Sequence, residues 1–314
     1  MKIRPGPGYL RISLLSACNL RCSYCKPDSK RLPSITAPID RMRSAIQFLY
    51  RFGIRKIRFT GGEPTLYKGL SELVSFVKSM DGDIHTAVTS NGVFLRSKAG
   101  ELAVAGLDSI NVSLDTLDSV KFHMLTGSDV LDDVISGIDA AARHIGNVKL
   151  NCVLIRDFND KEADRLISFA ANRGLDIRFI EFMPNRYSAP GDPRFVSGEE
   201  IRDQLPWDFR RLPGNPNSAA RYYSASPLKI KIGFISPVSH PFCASCNRIR
   251  LTADGLLYNC LYDSTRLNLF DLLENDPERA QAEFEKLLRA KRFSGCNSNI
   301  HFAETLPSFS AIGG

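Results

Sequence analysis

Over roughly the first 180 residues, the apolar positions switch repeatedly between a period of two and a period near 3.6. The period-two stretches predict strands at Tyr9–Leu15, Ile54–Thr60, Ile84–Thr89, Ser109–Leu114, Val148–Ile155 and Ile177–Phe182. Between them the helical period predicts helices at Ile39–Phe52, Leu70–Val77, Leu95–Ala105, Asp129–His144 and Lys161–Arg173. Met42, Ile46 and Leu49 form the apolar stripe of the first helix, and Val130, Val134 and Ile138 that of the fourth. Gly53, Gly61–Gly62 and Ser90–Asn91–Gly92 punctuate the units.

Six βα-like repeats of this kind predict an α/β fold with a parallel sheet and helices outside. The sheet is either open or a partial (β/α)6 TIM-like barrel, because a full barrel needs eight units. In both cases the loops after the strands carry the chemistry. The cysteines of this segment, Gly61–Gly62, Ser90–Asn91, Ser113–Asp115 and Glu181–Met183 all lie at such ends, so they are expected to converge on one mouth.

After Pro184 the pattern changes. Residues 185–217 are rich in Pro, Gly, Asn and Arg and read as loop and linker. A strand is predicted at Ile230–Ile235 and a helix at Glu283–Phe293, while Asn297–Gly314 has no clear period. The expected division is a core of residues 1–184 and a C-terminal extension of residues 185–314.

Composition narrows this picture. No run of about 18 apolar residues exists, so no membrane span is expected. Met1–Leu10 lacks the apolar stretch of a secretory leader, which makes the cytoplasm the expected location. The formal net charge of +7 favours an anionic partner. No basic run is interleaved with aromatic residues, so no nucleic-acid groove is expected.

Six of the eight cysteines fall into two trios, and in a reducing compartment such groups point to metal sites. The first trio, Cys18-x3-Cys22-x2-Cys25, follows a strand and sits in a loop. Three thiolates hold three irons of a cubane cluster and leave the fourth iron open to an outside ligand. S-adenosylmethionine suits that opening through its amino and carboxylate groups. A zinc ion would want four ligands, and no Cys or His follows within fifteen residues of Cys25. Tyr24 is placed to stack on an adenine, or else packs as an ordinary aromatic. The second trio, Cys243-x2-Cys246-x13-Cys260, also has three thiols, with His240 and Cys296 as candidates for a fourth ligand. A structural zinc and a second cubane with an open iron both fit that spacing. Alternation puts Arg248 and Arg250 on one face of an extended segment, a pair suited to phosphate oxygens or simply a solvated face. Cys152 lies within a strand and reads as a small buried hydrophobe.

The first trio, with an aromatic before its last cysteine, resembles the signature of the radical S-adenosylmethionine superfamily, and Gly61–Gly62–Glu63–Pro64 after the second strand matches it too. Further runs narrow the resemblance. Leu10–Arg11–Ile12–Ser13, Arg58-x-Thr60, Thr89–Ser90–Asn91–Gly92, Asn111–Val112–Ser113–Leu114–Asp115, Ile180–Glu181–Phe182–Met183–Pro184, Phe242–Cys243 through Thr252, and terminal Ile312–Gly313–Gly314 are similar to the GTP 3′,8-cyclase family of molybdenum cofactor biosynthesis.

That resemblance implies two 4Fe–4S clusters, on Cys18, Cys22 and Cys25 and on Cys243, Cys246 and Cys260. It implies that Tyr24, Gly62, Ser113 and Met183 contact S-adenosylmethionine. It implies that Arg11, Arg58, Thr89, Lys149, Arg248 and Arg250 contact GTP, and that Arg11, Arg248, Arg250, Gly313 and Gly314 support catalysis. The implied reaction removes hydrogen from ribose C3′ of GTP and closes a bond to guanine C8, giving 3′,8-cyclo-7,8-dihydro-GTP. The implied partners are a flavodoxin or ferredoxin as electron donor and a downstream pterin synthase, with a homodimer as one form of assembly.

Three places depart from the family pattern: Leu15–Ser16–Ala17 before the first cysteine, Lys26–Pro27 after the third, and Leu306–Ala311 ahead of the terminal Ile-Gly-Gly. They leave a paralogue acting on another nucleotide as a competing reading. A peptide-modifying radical enzyme is another, and a zinc module that binds nucleic acid is a third from a different class.

Overall fold

The computed structural model describes residues 7–25, 34–80, 83–185, 188, 191–215, 217–291 and 312. The terminal Gly313–Gly314, Cys296 and Lys26–Pro27 lie outside the described residues. In chain order the first half runs β1 (Tyr9–Ser13), α1 (Ile39–Tyr50), β2 (Lys56–Thr60), α2 (Leu70–Ser79), β3 (His85–Ser90), α3 (Leu95–Val104), β4 (Ser109–Ser113), α4 (Ser119–Thr126), α5 (Leu131–His144), β5 (Val148–Leu154), α6 (Ala163–Ala171) and β6 (Asp176–Glu181). The second half runs α7 (Gly198–Gln204), β7 (Phe209–Arg211), β8 (Ala220–Ala225), β9 (Ile232–Ile235), β10 (Arg248–Leu251), β11 (Leu256–Tyr258), β12 (Arg266–Asn268), α8 (Leu269–Asn275) and α9 (Pro277–Arg289).

The six predicted βα units are present, and one helix more. α4 was not predicted because Val120 and Met124 point to solvent, each 67% exposed, which blurs its apolar stripe. It is set instead by its ends. Asp118 accepts hydrogen bonds from the backbone N–H groups of Val120 and Lys121, and Gly127 closes the helix in the left-handed region. The linker reading of residues 185–217 is corrected in part. α7 and β7 lie within it, started by Ser197, which caps Glu200 N–H at 3.1 Å. The last predicted helix begins earlier, at Pro277, where a proline suits the first turn.

All twelve strands form one sheet, in the order β12-β11-β10-β1-β2-β3-β4-β5-β6-β9-β8-β7. Pairing is parallel from β10 through β1 to β6 and on to β9, and antiparallel at both outer ends. The C-terminal part of the chain therefore extends the core sheet at both of its edges. Leu10, Ile12, Ile57, Phe59, Ile110, Val112, Leu150 and Ile177 face the helices and are buried. Register puts the intervening, mostly polar residues together on the opposite face. That second face is where the candidate site lies.

Candidate active site

Strand register assembles a wall of cations. Arg11 is paired directly with Arg250 on one side and Arg58 on the other, and Tyr9 with Arg248 and Lys56. Across β3 and β4 the same face carries Thr89, Asn111 and Ser113, then Lys149 and Asn151 on β5 and Arg178 on β6. Arg58 is only 4% and Arg250 only 6% exposed. Arg58 donates Nη1 to Val88 O (2.6 Å) and Thr89 Oγ1 (3.1 Å), and Nε to the Tyr9 hydroxyl (2.7 Å). Arg248 lies over the Phe242 ring at 4.7 Å. Arg250 Nη1 donates to Ile312 O at 3.1 Å, which anchors the chain immediately before the Gly-Gly terminus.

The wall is electrostatically uncomfortable. Burial pulls the Arg11 guanidinium down to about 9, and Arg250, Arg58 and Arg248 add to this against the opposing pull of Tyr9. Burial and Arg248 bring Arg250 down to about 10. Arg178 is lowered by burial and by Arg58, and donates Nε to Asn151 Oδ1 at 2.9 Å. Such groups gain most from a polyanion laid across them. Lys149 is the exception among the predicted contacts. It faces inward, but its Nζ already sits 3.9 Å from Asp176 Oδ2 and donates to Asn147. Lys56 and Arg178 were not named from the sequence. The period-two alternation that selected Arg58 reaches Lys56 two residues earlier, and the same alternation in the sixth strand reaches Arg178.

The first cysteine trio follows β1, and the Gly61–Gly62–Glu63 turn after β2 lies directly against it. Gly62 N–H donates to Leu15 O (2.7 Å) and Glu63 N–H to Ala17 O (2.8 Å). A Cβ on Gly62 would come within 1.9 Å of Ala17 O, and Gly61 has φ +148° with Leu15 O 2.6 Å from its would-be Cβ. These contacts use backbone carbonyls, so the unusual side chains at Leu15–Ser16–Ala17 leave them intact. Glu63, 1% exposed, accepts from Thr65 N–H and Oγ1, from Ser90 Oγ and from Asn91 N–H. Asn91 in turn donates to Cys18 Sγ (3.8 Å) and Asn19 Oδ1 (2.8 Å). Glu63 and Asn91, quoted in motifs but given no role, thus couple the cysteine loop to two neighbouring strand ends.

Tyr24 donates its hydroxyl to Asp115 Oδ2 at 2.8 Å and packs with Leu125, Ile155 and Phe182. Gly62, Ser113 and Met183 lie at the C-terminal ends of β2, β4 and β6, on the same side as the trio. Gly62→Ala is expected to weaken S-adenosylmethionine binding by at least about tenfold, because the cysteine loop must shift to admit the methyl group. Equilibrium dialysis checks this, and wild-type affinity in the variant would refute the placement.

The donor chemistry of both trios fits iron. Burial pushes the Cys22 thiol well up, and Asp115, Cys25 and Cys18 push it further, so these thiols share one electrostatic site that a cationic metal would relieve. Cys243 is raised by burial, then by Cys260 and Cys246. Cys246 ends lower than usual, because Arg248 and Lys291 outweigh its burial, and Lys291 Nζ lies 3.9 Å from its sulfur. Among the described residues no three or more His, Cys, Asp or Glu side chains converge as the ligands of a single metal ion. His240, a candidate fourth ligand, is paired instead with Glu199 at 2.9 Å. Cys152 is fully buried in β5, as expected.

Cys18 follows the C-terminal end of β1, whereas Cys246 precedes the N-terminal end of the parallel β10. Along this strand pair the trios lie at opposite ends, with Arg11 and Arg250 between them. Tyr262, two residues beyond Cys260, packs on Met183 and donates to Pro184 O at 3.0 Å, joining the second trio's segment to the end of β6.

No helix among the described residues is long and apolar enough to cross a membrane. Residues 12–170 match the radical SAM superfamily and residues 175–294 match Molybdenum Cofactor Synthesis C. The chain is 34% identical over 296 residues to a GTP 3′,8-cyclase of Alkaliphilus oremlandii, covering 90% of each, and 39% identical over 259 residues to that of Campylobacter fetus, covering 81% of this chain and 80% of the other. It is 38% identical to molybdenum cofactor biosynthesis protein 1 of Drosophila melanogaster over 85% of this chain, but spans only 48% of that longer protein. In fold it is similar to Streptococcus suis SuiB bound to S-adenosylmethionine, with TM-score 0.63 and 17% identity, covering 87% of this chain and 66% of the other. The chain belongs to the GTP 3′,8-cyclase family of the radical S-adenosylmethionine superfamily.

Proposed function

We propose that this chain converts GTP to 3′,8-cyclo-7,8-dihydro-GTP in the first step of molybdenum cofactor biosynthesis. The observation that carries the reading is the run of Arg11, Arg58, Arg248 and Arg250 on adjacent strands, placed between two cysteine trios. Guanidiniums offer planar paired donors to phosphate oxygens, and a nucleoside triphosphate is the anion that matches such a wall. Of the two rival radical readings, a peptide substrate gives no reason for this density of buried cations. A paralogue on a different nucleotide is separated by assay.

In this reading Cys18, Cys22 and Cys25 hold one 4Fe–4S cluster and Cys243, Cys246 and Cys260 a second. When bound, the first cluster supplies the electron that cleaves S-adenosylmethionine to a carbon radical. Tyr24, Gly62, Ser113 and Met183 hold that cofactor at the C-terminal end of the sheet. Arg11, Arg58, Thr89, Arg248 and Arg250 seat the triphosphate, with Lys56 and Arg178 behind them and Lys149 at the margin. Arg250 holds Ile312, and Gly313 and Gly314, which lie outside the described residues, are assigned the supporting catalytic role that the resemblance implies. Residues 1–184 carry the radical chemistry and residues 185–314 the second cluster. An electron donor of the flavodoxin or ferredoxin type, a downstream pterin synthase, a homodimer and a cytoplasmic location complete the proposal.

The test is anaerobic incubation of reconstituted enzyme with GTP, S-adenosylmethionine and a reductant, read by mass spectrometry. 5′-Deoxyadenosine formation that depends on GTP is expected, together with about seven to eight irons per chain. Turnover with another nucleotide and none with GTP would overturn the substrate assignment.

A further inference from the structure

Arg58 is among the most enclosed cations of the wall, yet its acceptors are Val88 O, Thr89 Oγ1 and the Tyr9 hydroxyl, with no carboxylate among them. Tyr9 is central to the arrangement. Its strand neighbours on the same face are Arg248 and Lys56, Arg11 is two residues on, and Lys56 Nζ lies 5.3 Å from the ring centroid. Arg250, two residues beyond Arg248 on β10, lies on the same face opposite Arg11. A hydroxyl at that point can carry a negative charge that no other acceptor of Arg58 can.

We infer that Tyr9 is an internal stand-in for the substrate's phosphates: its phenolate holds Arg58, Arg11 and Arg248 together in the nucleotide-free enzyme and takes up a proton when a nucleoside triphosphate replaces it. Tyr9 is thus a positioning residue. The inference rests on reading the wall as a triphosphate site. The step balances as phenolate plus one proton plus nucleotide giving phenol and bound nucleotide, with the proton drawn from solvent.

The electrostatics agree with the geometry. Burial raises the phenol, but Arg58, Arg11, Lys56 and Arg248 outweigh it and bring Tyr9 down to about 7. A bound triphosphate occupies the same cations and adds negative charge, so it moves Tyr9 back up. Below that value the phenol is already protonated and adds no pH dependence of its own to binding. Above it, each binding event must carry a proton in, and GTP affinity falls by roughly tenfold per pH unit.

The experiment is calorimetric titration of GTP into anaerobic, iron-loaded enzyme without S-adenosylmethionine, in two buffers of different ionisation heat. At about pH 8 the nucleotide's own phosphates are fully ionised and contribute no proton change. Near pH 8 wild type is expected to take up about one proton per GTP and Tyr9→Phe markedly less, with the variant's affinity losing the tenfold fall per pH unit between about pH 7 and 8, below the range where Arg11 titrates. Phenylalanine keeps the ring beside Lys56, and GTP binding near pH 7 confirms that the variant is folded. Equal proton uptake by both proteins would overturn the role of Tyr9 while leaving the GTP reading standing. Failure of the iron-loaded wild type to bind GTP would overturn both.

Discussion

Replacing Cys22 by alanine is expected to remove the iron of the first site and abolish 5′-deoxyadenosine formation. Iron should fall from about eight to about four per chain, and activity by more than about 10³-fold, a loss of at least about 4 kcal/mol in transition-state stabilisation. The reason lies in the setting of the thiol. It is enclosed, sits close to Cys18, Cys25 and Asp115, and is held by a loop whose Arg21 and Ser23 N–H groups bond to Thr126 O and Leu125 O at 2.9 Å each. These backbone hydrogen bonds fix the loop to the end of α4, so a neighbouring side chain has little freedom to replace the missing ligand. Cys152→Ala is the control. It deletes a thiol buried in the core of β5 and should cost stability, with iron content unchanged. Full iron in Cys22→Ala, or iron loss in Cys152→Ala, would mean that the trio is misassigned.

Glu181→Ala is expected to lose the second site and keep the first. Glu181 ends β6 at 1% exposure. Its carboxylate accepts from Gly198 N–H (3.2 Å), Val238 N–H (3.0 Å), Ser239 N–H (3.0 Å) and Ser239 Oγ. It therefore ties the start of α7 and the segment leading to Cys243 onto the core sheet. Alanine leaves the buried Gly198 N–H and the partly buried N–H groups of Val238 and Ser239 without this acceptor, at a cost of about 3–5 kcal/mol. For a chain of this size that lowers Tm by about 6–12 °C. Iron should drop to about four per chain while the first site still binds S-adenosylmethionine. Glu181→Gln preserves shape and one acceptor and should fall between the two. Wild-type iron and Tm in Glu181→Ala would show that this carboxylate does not organise the second site.

Much of this molecule was legible in its residues, and the failures have physical causes. β1, β2, β4, β5 and β6 could be read because one face of each packs on helices and enforces alternation. α4 and α7 could not, since each is short and is specified by its caps rather than by an apolar stripe. The two cysteine trios and the arginines of β10 stood out by spacing. Glu63 and Glu181 did not, because a buried carboxylate serving backbone N–H groups has no sequence period. Its partners, at Asn91 and at Val238–Ser239, come from distant loops. Pairing across the sheet was equally hidden. Nothing local in Leu10–Ser13 says that its neighbours are Lys56–Thr60 and Arg248–Leu251.

That last pairing has a consequence for how the protein is made. On the ribosome, β1 through β6 emerge long before β9 and β10, so the young sheet has two bare edges, each a template for the wrong strand. Tyr9 waits for Arg248 until most of the chain has been synthesised. During that interval the arginine wall is one strand short and open from the side. The sheet thus closes late at the strand where it began, when β10 pairs with β1.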